Sequence, residues 1–324
     1  MGARVVDGFF RTVSLVGGSL PIAQPHRHGV ELLPDLPYQF TKRREHLLDI
    51  YRPKDRTGPV PVILYSHGGG FRILSKETHW IFGLGYARNG YLVVNINYRL
   101  SPDHPFPAAL EDAAAAYEWT VRHIAEYGGD PSRIAVAGES AGANIATALT
   151  IACCTERPEP WAKRLFDLGV VPEAVLPACG LLQVSDTERF ARKGKLPAVI
   201  LDRLTEVSDA YLGAVRHLPK ERLGMADPLL ILEDPGTHWA RPLPPFFAPC
   251  GTADPVLDDT RRLAAALAKL HVECEARYYK GGPHAFHAFY PLPIARQCWK
   301  DMLGFLSRRF PLPAVEGAVS FQGS

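Results

Sequence analysis

Short apolar runs, each closed by a glycine, proline or polar turn, recur along the chain and alternate with stretches of helical period. Val60–Tyr65 (VPVILY), Tyr91–Asn97 (YLVVNIN), Arg133–Ala137 (RIAVA), Ala174–Leu182 (AVLPACGLL), Leu243–Cys250 (LPPFFAPC) and Val272–Tyr279 have the length and composition of buried strands. Lys42–Tyr51 reads as an edge strand stopped by Pro53. Between the runs, Thr78–Arg88, the alanine-rich Pro107–Tyr127, Ala143–Cys154 and Thr260–Leu270 carry helical patterns, and Ile294–Phe310 adds a closing helix. Asn89-Gly90 and Gly128-Gly129-Asp130-Pro131 supply stops. Strands alternating with helices predict a mostly parallel sheet covered on both faces.

Five stretches break the alternation. Val5–Val16 could form a short amphipathic helix ended by Gly17-Gly18, and Pro21–Pro37 reads as irregular. Glu156–Pro172 is a polar, proline-containing link. Ser185–Leu232, with helical patches around Ile200–Leu212 and breaks at Pro219 and Pro228, reads as an insertion over the strand ends. Pro311–Ser324 is expected to be a loose tail. No internal repeat is visible.

Composition narrows the partners. Across 324 residues the chain is 47% hydrophobic and 22% charged, ordinary values for a globular domain with a sizeable core. A formal charge of +2 gives no reason to expect nucleic acid. No run of about eighteen apolar residues predicts membrane insertion. The apolar Thr12–Ala23 is interrupted by Gly17-Gly18 and Pro21, so no signal peptide is read there. The six cysteines show no C-x-x-C pair or metal spacing and are expected to be free thiols in a reducing, cytoplasmic compartment. His26 and His28 have H-x-H spacing but fall in a loop, and neither a metal nor a cofactor is expected.

The chemistry centres on Val136–Ile145 (VAGESAGANI), a strand, a sharp turn and a helix start, with Gly138 and Gly142 two residues either side of Ser140. Such a turn lifts a serine out of a sheet to a helix N-terminus, where unpaired N–H groups favour developing negative charge. A serine hydroxyl needs a base, and the base needs an acid to fix its tautomer. Asp254 and His284 follow predicted strands downstream, in the order serine, acid, histidine of a nucleophile-elbow enzyme. Asp258 and Asp259 are rival acids, expected to serve the start of the Thr260 helix. His287 is a rival base, and Glu139 is expected to orient the turn. For the oxyanion, Ala141 N–H is joined by the loop Gly68-Gly69-Gly70, with His67 holding that loop. Phe71 and Val256 are expected at the pocket edge.

Several segments together resemble the hormone-sensitive lipase-like family of α/β-hydrolases, bacterial carboxylesterases included. They are His67–Gly70, Tyr98–Ala109 (YRLSPDHPFPAA), Gly138–Gly142, Asp254-Pro255 and His284–Phe286, spread from Leu47 to Phe310. The resemblance implies an α/β-hydrolase fold, a triad of Ser140, Asp254 and His284, and an oxyanion hole of the glycine loop with Ala141. It also implies a small helical cap, built from an N-terminal segment (residues 1–45) and the 185–232 region. The catalytic domain would span 46–310 and the tail 311–324. Departures are Glu139 where many members have aspartate, Ala143 for a common third glycine, and Ala285 after the histidine. The expected activity is serine carboxylesterase on short-chain esters through an acyl-enzyme. Amide or formamide hydrolysis, deacetylation, a non-catalytic receptor and interfacial lipolysis are the alternatives. A homodimer is expected by family analogy.

Overall fold

The computed structural model describes residues 20–54, 58–192, 196–218 and 223–312, with Gly8, Thr12, Ser14, Gly17 and Gly18 of the preceding segment. One sheet of eight strands organises these residues, in the order β1-β2-β4-β3-β5-β6-β7-β8. The strands are β1 (Val30–Pro37), β2 (Leu47–Pro53), β3 (Val60–Ser66), β4 (Leu92–Ile96), β5 (Gly129–Glu139), β6 (Ala174–Ala178), β7 (Phe246–Gly251) and β8 (Cys274–Tyr279). β2 runs antiparallel to both β1 and β4, and every other neighbouring pair is parallel. β3, β4 and β6 are buried at every position, as continuous apolar strands must be when helices cover both faces.

The covering helices are α1 (Trp80–Ala87), α2 (Ala108–His123), α3 (Ala141–Cys154), α4 (Pro160–Leu168), α5 (Glu188–Arg192), α6 (Ala198–Leu212), α7 (Pro228–Glu233), α8 (Leu257–Lys269) and α9 (Pro293–Arg309). α2 and α3 pack Leu110, Tyr117, Ile145 and Leu149 against Val62, Leu64 and Val136 of one face. On the other face α1 and α9 bring Phe82, Tyr86, Trp299 and Phe305 onto Ile63, Tyr65 and Ala137. Each such side chain contributes roughly 1.5–3 kcal/mol on burial. The alternation of side chains along β3 thus divides one strand between two cores.

Three stretches differ from the sequence expectation. Val30–Pro37, read as irregular and assigned with residues 1–45 to a cap, is β1 and belongs to the sheet. Its two prolines hide the strand pattern, yet the sheet border tolerates missing donors. Consequently the Lys42–Tyr51 strand is not an edge: as β2 it begins at Leu47 and lies between β1 and β4. The link Glu156–Pro172 holds α4, which starts at Pro160 and ends at Gly169 in the left-handed conformation. Proline at the first turn and glycine past the end are helix boundary signals there, not loop signals. The proposed Val5–Val16 helix lies largely outside the described residues, and Gly17 and Gly18, expected to end it, are helical. Most of the 311–324 tail is likewise outside them.

Candidate active site

The parallel strands β3, β5, β6, β7 and β8 deliver their carboxyl ends to one edge of the sheet, the position where open α/β sheets bind ligands. Ser140 follows β5 directly and precedes α3, with φ 53° and ψ −111°. Such a backbone costs about 1–3 kcal/mol for a residue with a side chain. Hydrogen bonds hold it: Ser140 N–H donates to Ala178 O at 2.9 Å, Asn144 N–H to Ser140 O at 3.2 Å, and Leu181 N–H to Ser140 O at 3.3 Å. The flanking glycines let the turn press against β3. A Cβ on Gly142 would lie 2.0 Å from Ser66 O, and one on Gly138 2.5 Å from Gly142 O.

Asp254 and His284 meet after β7 and β8. His284 Nδ1 lies 3.0 Å from Asp254 Oδ1 and 2.9 Å from Oδ2. The carboxylate is fully buried and also accepts the Val256 N–H at 2.9 Å, whereas the imidazole is 36% exposed. Burial disfavours the imidazolium, but the Asp254 charge and hydrogen bond, with Glu139 behind them, outweigh it and raise the His284 pKa. The end of β6 joins this pair to the serine turn. Ala178 accepts from Ser140, and the next residue, Cys179, brings its Sγ within 4.8 Å of a carboxylate oxygen of Asp254 and a ring nitrogen of His284. Burial pushes the Cys179 thiol well above its usual range, which keeps it a neutral neighbour of the pair.

Of the rivals, Asp259 lies in the first turn of α8 but points inward. It accepts Leu182 N–H at 2.9 Å and Gln183 N–H at 3.1 Å and pairs with Arg189 of α5 at 2.7 Å. Its role is to anchor the insertion. His287 is buried among Phe82 and Phe286, and burial brings its pKa down to about 4. Neither shares the Asp254–His284 contact.

The loop after β3 carries the glycines. His67 is held there, its Nδ1 2.7 Å from Gly68 O and its ring stacked on Tyr98 at 4.2 Å, and burial lowers its pKa to about 3. Tyr98 O–H donates to His67 O at 2.8 Å. The Gly68 N lies 3.4 Å from His79 Nε2. Ala141 opens α3 beside Ser140. Phe71, expected at the pocket edge, is buried and stacked on Tyr211 of α6 at 3.7 Å, and Val256 is buried beside Asp254. A Cβ on Gly70 would meet Val207 of α6 at 2.7 Å, so the insertion rests on the glycine loop. His26 and His28 sit away in a short 3-10 turn, where His28 Nε2 contacts Ile22 O at 2.7 Å.

Two participants were missed in the sequence. His79 precedes α1 and lies 3.2 Å from Glu139 Oε1, and Arg189 is the partner of Asp259. Neither stands in a recognisable motif, so only three-dimensional proximity reveals them.

This geometry is that of a nucleophile-elbow hydrolase. Residues 63–288 match the family model described as alpha/beta hydrolase fold. The chain is 33% identical over 251 residues to carboxylesterase NlhH of Mycobacterium tuberculosis, covering 76% of this chain and 74% of that one. It is 32% identical to the versiconal hemiacetal acetate esterase of Dothistroma septosporum over 78% of this chain and 75% of that protein. A solved esterase from the bacterial hormone-sensitive lipase family superposes with a TM-score of 0.70 at 26% identity, over 94% of this chain and 90% of the other. The chain belongs to the α/β-hydrolase family, in its hormone-sensitive lipase-like branch. Among the described residues no helix is long and apolar enough to cross a membrane.

Proposed function

We propose that this carboxylic ester hydrolase is a serine esterase acting on short-chain acyl esters through an acyl-enzyme. The observation that carries the reading is the two-oxygen contact of the buried Asp254 with His284 Nδ1, made beside the strained Ser140 turn. It leaves Nε2 of the same ring as the base. Ser140 Oγ attacks the ester carbonyl carbon while its proton passes to His284, and Asp254 steadies the imidazolium. The oxyanion accepts N–H bonds from the Gly68-Gly69-Gly70 loop and from Ala141. On collapse, His284 returns the proton to the leaving alcohol. A water deprotonated by His284 then attacks the acyl carbon, releasing the acid and restoring Ser140. These steps require no metal or cofactor.

A small acyl group is supported by Val207 lying over Gly70 and Phe71 stacked on Tyr211, contacts that bring the insertion down onto the loop. Similarity to a fungal acetate esterase agrees with that size. The 185–232 segment is proposed as the cap, on the strength of these same contacts. Six free cysteines support a cytoplasmic location, which cell fractionation would test. Ser140→Ala is expected to lower p-nitrophenyl acetate turnover by roughly 10⁶ and to abolish fluorophosphonate labelling. Near-native turnover in that variant would exclude the mechanism.

A further inference from the structure

The mechanism leaves Glu139 without a task, although it is a buried carboxylate directly preceding the nucleophile. It is 5% exposed, and its Oε1 lies 3.2 Å from Nε2 of the equally buried His79. His79 is fixed in turn, its Nδ1 2.9 Å from Thr78 Oγ1 and 3.2 Å from Ser75 O. Gly68 is packed on the same carboxylate: a Cβ there would stand 2.0 Å from Glu139 Oε1. His79 Nε2, which donates to the carboxylate, also packs 3.4 Å from the Gly68 N. One carboxylate therefore touches the strand that carries the nucleophile and the loop proposed to hold the oxyanion, and it ties the latter to the start of α1.

The groups that face Glu139 are few. They are His79, ahead of α1; His284 and His287, after β8; His67 and Tyr65, on and after β3; Tyr98; and Cys179, after β6. Among the described residues no lysine or arginine is ion-paired with it. Burial opposes its charge, but the His79 hydrogen bond and the surrounding histidines hold its pKa down to about 2. It is thus ionised throughout the working range, in a setting of low polarity where a charge acts over distance.

We propose that Glu139 is a positioning residue of the esterase that serves two ends at once. Fixed by His79 and packed directly against Gly68, it holds the glycine loop in register with Ser140, and its negative charge, added to that of Asp254, favours the His284 imidazolium formed as Ser140 is deprotonated. The inference rests on the Ser140–His284–Asp254 reading and goes beyond it. Glu139 touches no reacting atom and accepts no proton during turnover.

Replacing Glu139 by glutamine keeps the shape and removes the charge. Profiles of kcat and KM against pH on p-nitrophenyl acetate, for wild type, Glu139→Gln and Glu139→Asp, separate this role from a merely structural one. With glutamine the imidazolium loses a favourable field, so the His284 pKa falls and the acid limb of kcat/KM moves about one unit lower. The plateau of kcat falls about tenfold, the same change in free energy, with KM little altered. Activity then extends further into acid while its maximum declines. Glu139→Asp keeps the charge and should leave the acid limb in place. A glutamine variant that loses kcat with an unmoved acid limb, or keeps both, overturns the proposal. Should Glu139→Gln fail to fold, His79→Gln decides the positioning half. It is expected to lower kcat without moving the acid limb downward, and an unchanged kcat would sink the idea. Ser140→Ala and His284→Gln run alongside: activity surviving in either would refute the triad itself, whatever the Glu139 variants do.

Discussion

Asp254 and Asp258 lie four residues apart, and their surroundings separate them. Asp254 is fully buried, bonded to both His284 and the Val256 N–H, whereas Asp258 is half-buried in the first turn of α8. Asp254→Asn should lower kcat by about 10⁴, because the amide can no longer fix the tautomer or balance the imidazolium. Asp258→Asn should change turnover by no more than about twofold, as for substitutions outside the reacting groups. Parallel ester assays on folded protein check both, and the opposite ranking would reassign the acid. At this scale much was legible. Ser140 is marked by the glycines that its turn demands, and Asp254 and His284 by their places after apolar runs. Glu139 was legible only as a neighbour, since its partner His79 is sixty positions away in the chain.

Among the elements, a buried ion pair helps to fasten the insertion. Arg189 of α5 reaches Asp259 of α8, which is entirely buried and also accepts two backbone N–H groups after β6. Burial raises the Asp259 pKa, and the Arg189 charge and hydrogen bonds oppose that rise. Removing the arginine leaves the buried carboxylate with only the more distant Arg262, at 4.0 Å, so Arg189→Ala is expected to cost about 3 kcal/mol, read from urea unfolding. A loss below about 1 kcal/mol would show that the carboxylate finds water or a proton cheaply. The sequence placed Asp259 correctly on the first turn of its helix but assigned it to the helix end. Helical period fixes which residues share a face, not which distant chain meets that face. β1 and α4 were missed for a related reason. Their prolines read as breaks in the local pattern, yet one lies at a sheet border and the other at a helix start, where no backbone donor is needed.

For the molecule as a whole, pH dependence follows from the raised His284 pKa. The base must be neutral to take the serine proton, so protonation at low pH stops turnover. With its pKa above the usual 6.5, the acid limb of kcat/KM is expected to have its midpoint above pH 6.5, as a rate profile on a neutral ester would show. His287, brought down to about 4, stays neutral across that range and adds no second step. A midpoint near 4 would instead assign the base to His287.

The sequence by itself determined the alternation of buried strands and helices, the elbow around Ser140, the glycine loop, and the order of serine, acid and base. These are local matters: a turn needs glycine where backbones touch, and a buried strand must be apolar throughout. Tertiary structure decided what depends on distant segments meeting. It set the place of β1 beside β2, the contact between Asp254 and His284, the seat of the insertion on Gly70, and the partnership of Glu139 with His79. Packing and buried charge made those choices, because the low polarity of the interior requires each buried ionised group to find its counterpart in space, however far off it lies in the chain.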